Sequence, residues 1–85
     1  MSTYFTYILQ SDVTGRLYIG QTNDLADRIR RHNQNQVKST KNRGPWKLLK
    51  AYSKSSRSEA IKLERYLKSL KSPQAVLDCI KKNPV

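Results

Sequence analysis

With 85 residues the chain is too short to split into two units that each bury a core, so one domain over residues 1–85 is expected. A single cysteine, Cys79, excludes an internal disulfide, and no apolar run is long enough for a membrane span or a secretory leader, so the expected address is the cytoplasm. Seventeen Lys and Arg against six Asp and Glu give a net charge of +11, a field that draws polyanions, of which nucleic acid is the commonest. No segment pairs an apolar face with a basic one as an interfacial helix does, which argues against a membrane surface as the partner. Docking on an acidic protein stays open on charge alone.

Tyr4-Phe5-Thr6-Tyr7-Ile8-Leu9-Gln10 is rich in aromatic and branched residues and predicts a strand. It ends at the turn-forming Ser11 to Gly15, and Arg16 to Gln21 reads as its hairpin partner. A four-residue loop, Ser11 to Thr14, sets Tyr7 opposite Tyr18 on one side, with Ile8, Leu17 and Ile19 on the other. Thr22-Asn23-Asp24 supplies an N-cap, and Leu25, Ile29 and His32 recur at helical spacing, so a helix is expected from about Asp24 to Gln34. The polar stretch Asn35 to Pro45 ends in Gly-Pro and predicts a basic loop without a regular element. Trp46, Leu48, Lys50 and Tyr52 alternate with Lys47, Leu49 and Ala51, the pattern of a third strand. Ser56-Arg57-Ser58-Glu59 is a capping box opening a helix whose apolar spine is Ala60, Leu63, Leu67 and Leu70. Ser72-Pro73 starts a last helix with Ala75, Val76, Cys79 and Ile80 inward, leaving only a ragged tail at 83–85. The result is an α+β domain, a small three-stranded antiparallel sheet flanked by helices in the order β-β-α-β-α-α.

Three oddities point to chemistry. Arg28 and His32 share the face of the first helix that carries Leu25 and Ile29, which places a cation on the side that packs. For an arbitrary helix, an arginine stem lying along apolar surface and a histidine at the core edge is the ordinary explanation. Glu64 sits inside the apolar arc of the next helix, between Ala60 and Leu67 on one flank and Ile61 on the other, and needs a cation to compensate it. Arg28 or a lysine would serve as well as a divalent metal. Tyr7 and Tyr18 stand together on a hairpin that continues to Gly20, where a missing side chain leaves room for another group, although paired aromatics are also ordinary core material. With one His and one Cys, a zinc site of the usual kind is excluded, and no glycine-rich phosphate loop is present.

Together these residues resemble the GIY-YIG nuclease domain of excision-repair nucleases, some homing endonucleases and certain restriction enzymes. Phe5-Thr6-Tyr7 stands at the GIY position and Tyr18-Ile19-Gly20 at YIG, and Arg28, His32 and a helical glutamate, Glu64, follow in the family's order. The compact tail is similar to the short single-domain bacterial branch, and the whole is similar to the nuclease domain at the N-terminus of the repair excinuclease. Phe5 and Thr6 replace Gly-Ile, Gln21 stands where some members carry a lysine, and no supporting asparagine follows the second helix.

The resemblance implies a divalent-metal-dependent endonuclease acting on DNA, with repair or recombination as its setting and low sequence specificity. Glu64 would hold a largely hydrated Mg²⁺ or Mn²⁺. Tyr18, or as the second choice Tyr7, would accept a proton from the attacking water, Arg28 would bind the phosphate, and His32 would orient a tyrosine or a water. A phenol ionises near pH 10 in ordinary surroundings, so activity rising toward alkaline pH is expected. Lys38, Lys41, Arg43, Lys47, Lys50, Lys54 and Arg57 are the expected phosphate contacts outside the reaction centre. RNA as substrate and a targeting partner protein stay open, and a nucleic-acid-binding module of the same fold without activity is the rival reading.

Overall fold

A computed structural model describes residues 3–70 and 72–82, so the expected tail at 83–85 lies outside the described residues. The elements are β1 (Tyr4–Ser11), β2 (Leu17–Thr22), α1 (Leu25–Asn33), β3 (Trp46–Lys54), α2 (Arg57–Ser69) and α3 (Pro73–Lys82), with a short 3₁₀ turn at Lys38–Thr40. The three strands form one antiparallel sheet in the order β2-β1-β3. The α+β architecture and the β-β-α-β-α-α order are those the hydrophobic pattern predicted.

β1 is central, which explains its unbroken buried run. Thr6, Tyr7, Ile8 and Leu9 are all fully buried because helices cover both faces of the sheet. On one face Tyr7, Leu9 and Trp46 form a cluster with Tyr18 and with Leu25 and Ile29 of α1. On the other, Ile8, Ile19 and Tyr52 pack on Leu67 of α2 and Val76 of α3. Thr6 points the same way and donates its hydroxyl to the Ala60 carbonyl at 2.7 Å, which fixes α2 on the central strand.

The hairpin register differs from the predicted one. Tyr7 pairs with Gly20 and Leu9 with Tyr18, a slip of two residues. The turn needs the longer loop because Ser11 stays in β1. Its Oγ accepts from the Val13 and Thr14 amides, and Gly15 closes the loop at φ 75°, a conformation that favours glycine. A slip of two keeps every side chain on its predicted face, since the strand repeat is two residues. Tyr7 and Tyr18 therefore share a face as diagonal rather than direct neighbours.

β3 departs further. A bulge falls opposite Ile8 and Leu9, so the predicted alternation does not survive the length of the strand. Trp46 and Ala51 join the α1 face, while Leu49 and Tyr52 join the α2 and α3 face. One extra residue reverses which alternate set faces which layer.

The helix boundaries follow the predicted caps. Asp24 accepts from the Asp27 amide at 3.2 Å and Ser56 from the Glu59 amide at 3.2 Å, each satisfying an otherwise orphaned first-turn donor. The 34–45 segment is better ordered than its composition predicts, because side chains take up its backbone groups. Asn33 holds both the amide of Trp46, at 2.6 Å, and its carbonyl, at 3.1 Å. Asn35 accepts from the Asn42 amide at 2.9 Å, and both asparagines adopt positive φ, which this residue type tolerates. Ser11 donates to the Arg43 carbonyl at 2.6 Å. The 3₁₀ turn itself is tied to α1 by Thr40, whose Oγ1 lies 2.7 Å from His32 Nδ1.

Candidate active site

The tyrosine face of the sheet, α1 and the 3₁₀ turn converge on His32, which is fully buried. Its Nε2 lies 2.9 Å from the Tyr7 hydroxyl and its Nδ1 lies 2.7 Å from Thr40 Oγ1. The ring centroid of Tyr18 is 4.8 Å from that of His32 and 6.2 Å from that of Tyr7. Trp46 closes the far side, 6.4 Å from Tyr18.

Proton counting fixes the direction of this network. Tyr7 is fully buried, and its other polar neighbour is the Arg28 guanidinium, which can only donate. The phenol proton therefore has His32 Nε2 as its acceptor among the described residues. Nδ1 then carries the ring proton and donates to Thr40, whose hydroxyl passes its own toward the Val37 carbonyl at 3.4 Å. This arrangement gives every proton an acceptor.

Electrostatics agree with that assignment. Burial pushes the Tyr7 phenol above its ordinary ionisation range, reinforced by the neighbouring Tyr18 and by the Glu64 carboxylate and opposed by Arg28. Burial, together with the positive charge of Arg28, pulls His32 down to about 4. Both groups stay neutral at neutral pH, and the pair acts as one rigid hydrogen-bonded unit.

A stability signature follows from the low value at His32. Unfolded, the imidazole takes up a proton near its ordinary pKa of about 6.5, while the folded ring resists until about pH 4. Between these limits the unfolded state binds more protons, so stability falls as pH drops from 6.5 toward 4. The loss is on the order of 3 kcal/mol. Urea unfolding at pH 7 and pH 4.5 should show this loss in the wild type and a smaller one in His32→Gln, the difference isolating the histidine from the carboxylates that titrate in the same range.

Gly20 makes the packing possible. A Cβ at this position would lie 2.7 Å from Tyr7 Oη, 2.8 Å from its Cζ and 3.1 Å from a ring carbon of Tyr18. Tyr7 cannot retreat while His32 holds its hydroxyl. Gly20→Ala is therefore expected to cost about 1–3 kcal/mol in thermal or urea unfolding and to displace both rings, visible as large shifts of the Tyr7 and Tyr18 aromatic NMR signals.

Glu64 comes from α2, across the sheet from α1, yet its charge is felt at the Tyr7 phenol. Its side chain is 20% exposed and it accepts from Lys68 Nζ at 2.7 Å, one helical turn on. The lysine compensation weighed from sequence is thus present, and the field of the carboxylate reaches the Tyr7 phenol. No three His, Cys, Asp or Glu side chains among the described residues cluster closely enough to cage a metal. A lone, partly exposed carboxylate fits a hard cation that keeps most of its water, and does not fit zinc.

The predicted phosphate-binding cations do not form one surface. Lys38, Lys41 and Arg43 are exposed on the segment that carries Thr40, beside His32. Lys47, Lys50 and Lys54 pair with Gln10, Ile8 and Tyr4 of β1 and so fall on the sheet face turned away from the tyrosines. Lys47 lies 3.9 Å from Asp12, Lys50 lies over Tyr52 at 5.5 Å, and Arg57 lies over Tyr4 at 4.9 Å. Gln21 pairs with Thr6, which sets it on the α2 side.

Sequence reading missed Thr40 and gave Trp46 only a strand position, because a loop residue that braces a histidine carries no periodic signal and strand alternation does not say which layer Trp46 faces. Lys68 was legible in principle as the i,i+4 partner of Glu64.

Comparison with known proteins meets this geometry. The family model of the GIY-YIG catalytic domain matches residues 3–76. The chain belongs to the GIY-YIG family. It is 40% identical over 85 residues to a UPF0213 protein of Lactococcus lactis subsp. cremoris, covering 98% of this chain and 85% of that one. It is 33% identical over 79 residues to a UPF0213 protein of Cupriavidus pinatubonensis, covering 92% and 87%. The solution NMR structure of a UPF0213 protein from Bacillus halodurans superposes with a TM-score of 0.61 at 29% identity, covering 95% of this chain and 85% of that one. GIY-YIG is a family of nuclease domains that act on nucleic acids, and no helix among the described residues is long and apolar enough to cross a membrane.

Proposed function

We propose that this GIY-YIG domain is a divalent-metal-dependent endonuclease that hydrolyses phosphodiester bonds in DNA, with Tyr18 as the proton acceptor. The observation that carries the reading is the division of labour between the two phenols. Tyr7 is sealed from solvent and commits its proton to His32, so it is poorly placed to take another. Tyr18 lies against the same imidazole and is only partly buried, which leaves its hydroxyl the better candidate to meet a water.

Arg28 would act from beside Tyr7 as a planar donor fork for the scissile phosphate. His32 and Tyr7 would orient the site without changing charge during the reaction, and Thr40 would hold the imidazole in its tautomer. Glu64 would hold one Mg²⁺ or Mn²⁺, released from Lys68 when it does so. The bound cation supplies charge stabilisation for the departing 3′ oxygen. Lys38, Lys41 and Arg43 are the cations best placed to continue phosphate contacts from the reaction centre, which favours affinity that falls steeply with salt and little base readout. Cutting of this kind, selected by DNA structure rather than sequence, suits repair or recombination.

Incubation with supercoiled, single-stranded and branched DNA in Mg²⁺ and in Mn²⁺ tests the proposal. Metal-dependent nicking of any of these supports it. Salt-sensitive binding with no cleavage of all three would leave a non-catalytic nucleic-acid-binding module of the same fold.

A further inference from the structure

Glu64 already has a partner on its own helix. Lys68 Nζ lies 2.7 Å from its Oε2, and among the described residues the carboxylate forms no other ion pair. Arg28, the alternative weighed from sequence, forms none with it. The two side chains stand one helical turn apart with the glutamate on the N-terminal side, the favourable order for such a pair. The carboxylate is the more withdrawn partner, 20% exposed against 52% for the lysine. A carboxylate so placed needs a compensating cation, and the ammonium supplies it. Lys68 also borders an open cleft of about 470 Å³ beside β2, so its ammonium has room to swing off Glu64 without moving the helix.

A cation on a flexible stem suits an exchangeable partner. A lysine ammonium is a point charge with rotatable donors, whereas an arginine grips both carboxylate oxygens through a planar fork. An exposed i,i+4 pair changes an equilibrium by only about twofold, so it is weak enough to exchange for a divalent ion. Once displaced, the ammonium stays tethered a turn away and repels the dication, more strongly at low salt. We propose that Lys68 is the resident counter-ion of Glu64, holding the place of the divalent cation and setting how tightly that carboxylate takes Mg²⁺ or Mn²⁺. The inference rests on the reading of Glu64 as the cation's carboxylate and adds how that site is regulated. The protein alone then binds metal weakly, and loading is favoured when substrate phosphates bring further oxygens to the ion.

Mn²⁺ titration of the ¹⁵N-labelled full chain without DNA, followed by paramagnetic broadening of the amide signals around Glu64, reads the site apart from cleavage. At low salt Lys68→Met should take Mn²⁺ about three- to tenfold more tightly than wild type, and the gain should shrink as salt is raised. Lys68→Arg keeps the charge but binds the carboxylate through two donors, and should weaken Mn²⁺ binding. Arg65→Met removes an equal charge next to Glu64 in the chain, from a residue with no ion pair among the described residues, and should have the smaller effect. Lys68 and Arg65 are both exposed, so none of these changes disturbs the core. Unchanged or weaker Mn²⁺ binding by Lys68→Met, or an equal gain from Arg65→Met, would overturn the proposal and leave Glu64 as the metal's carboxylate. Identical broadening in wild type and Glu64→Gln would overturn the metal reading and this inference together.

Discussion

Tyr18→Phe is expected to bind DNA with wild-type affinity and to cut it about a hundred- to ten-thousandfold more slowly, the range a positioned proton acceptor contributes. The change removes one oxygen from a partly buried residue and leaves intact the buried Tyr7–His32–Thr40 chain on which the local fold depends. Tyr7→Phe should behave differently. It deletes the donor to His32 and leaves an imidazole nitrogen buried without its partner, so it should lower stability by about 1–3 kcal/mol as well as activity. Chemical denaturation and single-turnover cleavage of the two variants side by side separate a chemical role from a structural one. Wild-type cleavage by Tyr18→Phe, with Tyr7→Phe fully folded and inactive, would reverse the assignment of the two phenols.

The second large effect is expected at Glu64. Glu64→Gln should lose Mn²⁺ binding in calorimetric titration and should lower metal-dependent cleavage by at least about a hundredfold, since a metal's stabilisation of transition-state charge is worth several kcal/mol. The substitution also breaks the ion pair with Lys68. That pair joins one half-exposed side chain to a partly exposed one on a single helix face, and such i,i+4 pairs contribute only about 0.3–0.5 kcal/mol. The unfolding midpoint should therefore barely move. A variant that keeps its Mn²⁺ affinity and its cleavage rate would reduce Glu64 to the salt-bridge role that its neighbour already offers.

Glu64 also shows where sequence reasoning reaches its limit. Its position inside an apolar arc was visible from helical periodicity, as was its need for a cation. Its electrostatic reach to Tyr7 was not, because the two lie 57 residues apart, one on the central strand and the other on the helix across the sheet from the tyrosines, and only the way α2 crosses that sheet sets their separation. Tyr7 and Tyr18 give the contrasting case. Strand parity alone put them on one face, and a register slip of two residues left that conclusion standing. β3 had no such protection. Its bulge inserts a single residue, and an odd shift exchanges faces, which is why Trp46 and Tyr52 ended in different clusters and why Lys47, Lys50 and Lys54 lie away from the tyrosines.

By itself the sequence determined the elements and their caps, the α+β order, the polyanion-seeking charge and the residues that carry the family's motif. These depend on local periodicity, on side chains that satisfy the first turn of a helix, and on composition, all of which act over a few residues or over the whole chain at once. The tertiary structure alone decided that Tyr7 is sealed against His32, that Thr40 and Trp46 close the histidine pocket, which cations share its face, and that a cleft opens along β2. Each of these is settled by burial and by contacts between distant segments. In a low-dielectric interior the cost of an unpartnered proton or charge selects one arrangement, and no local pattern records that choice.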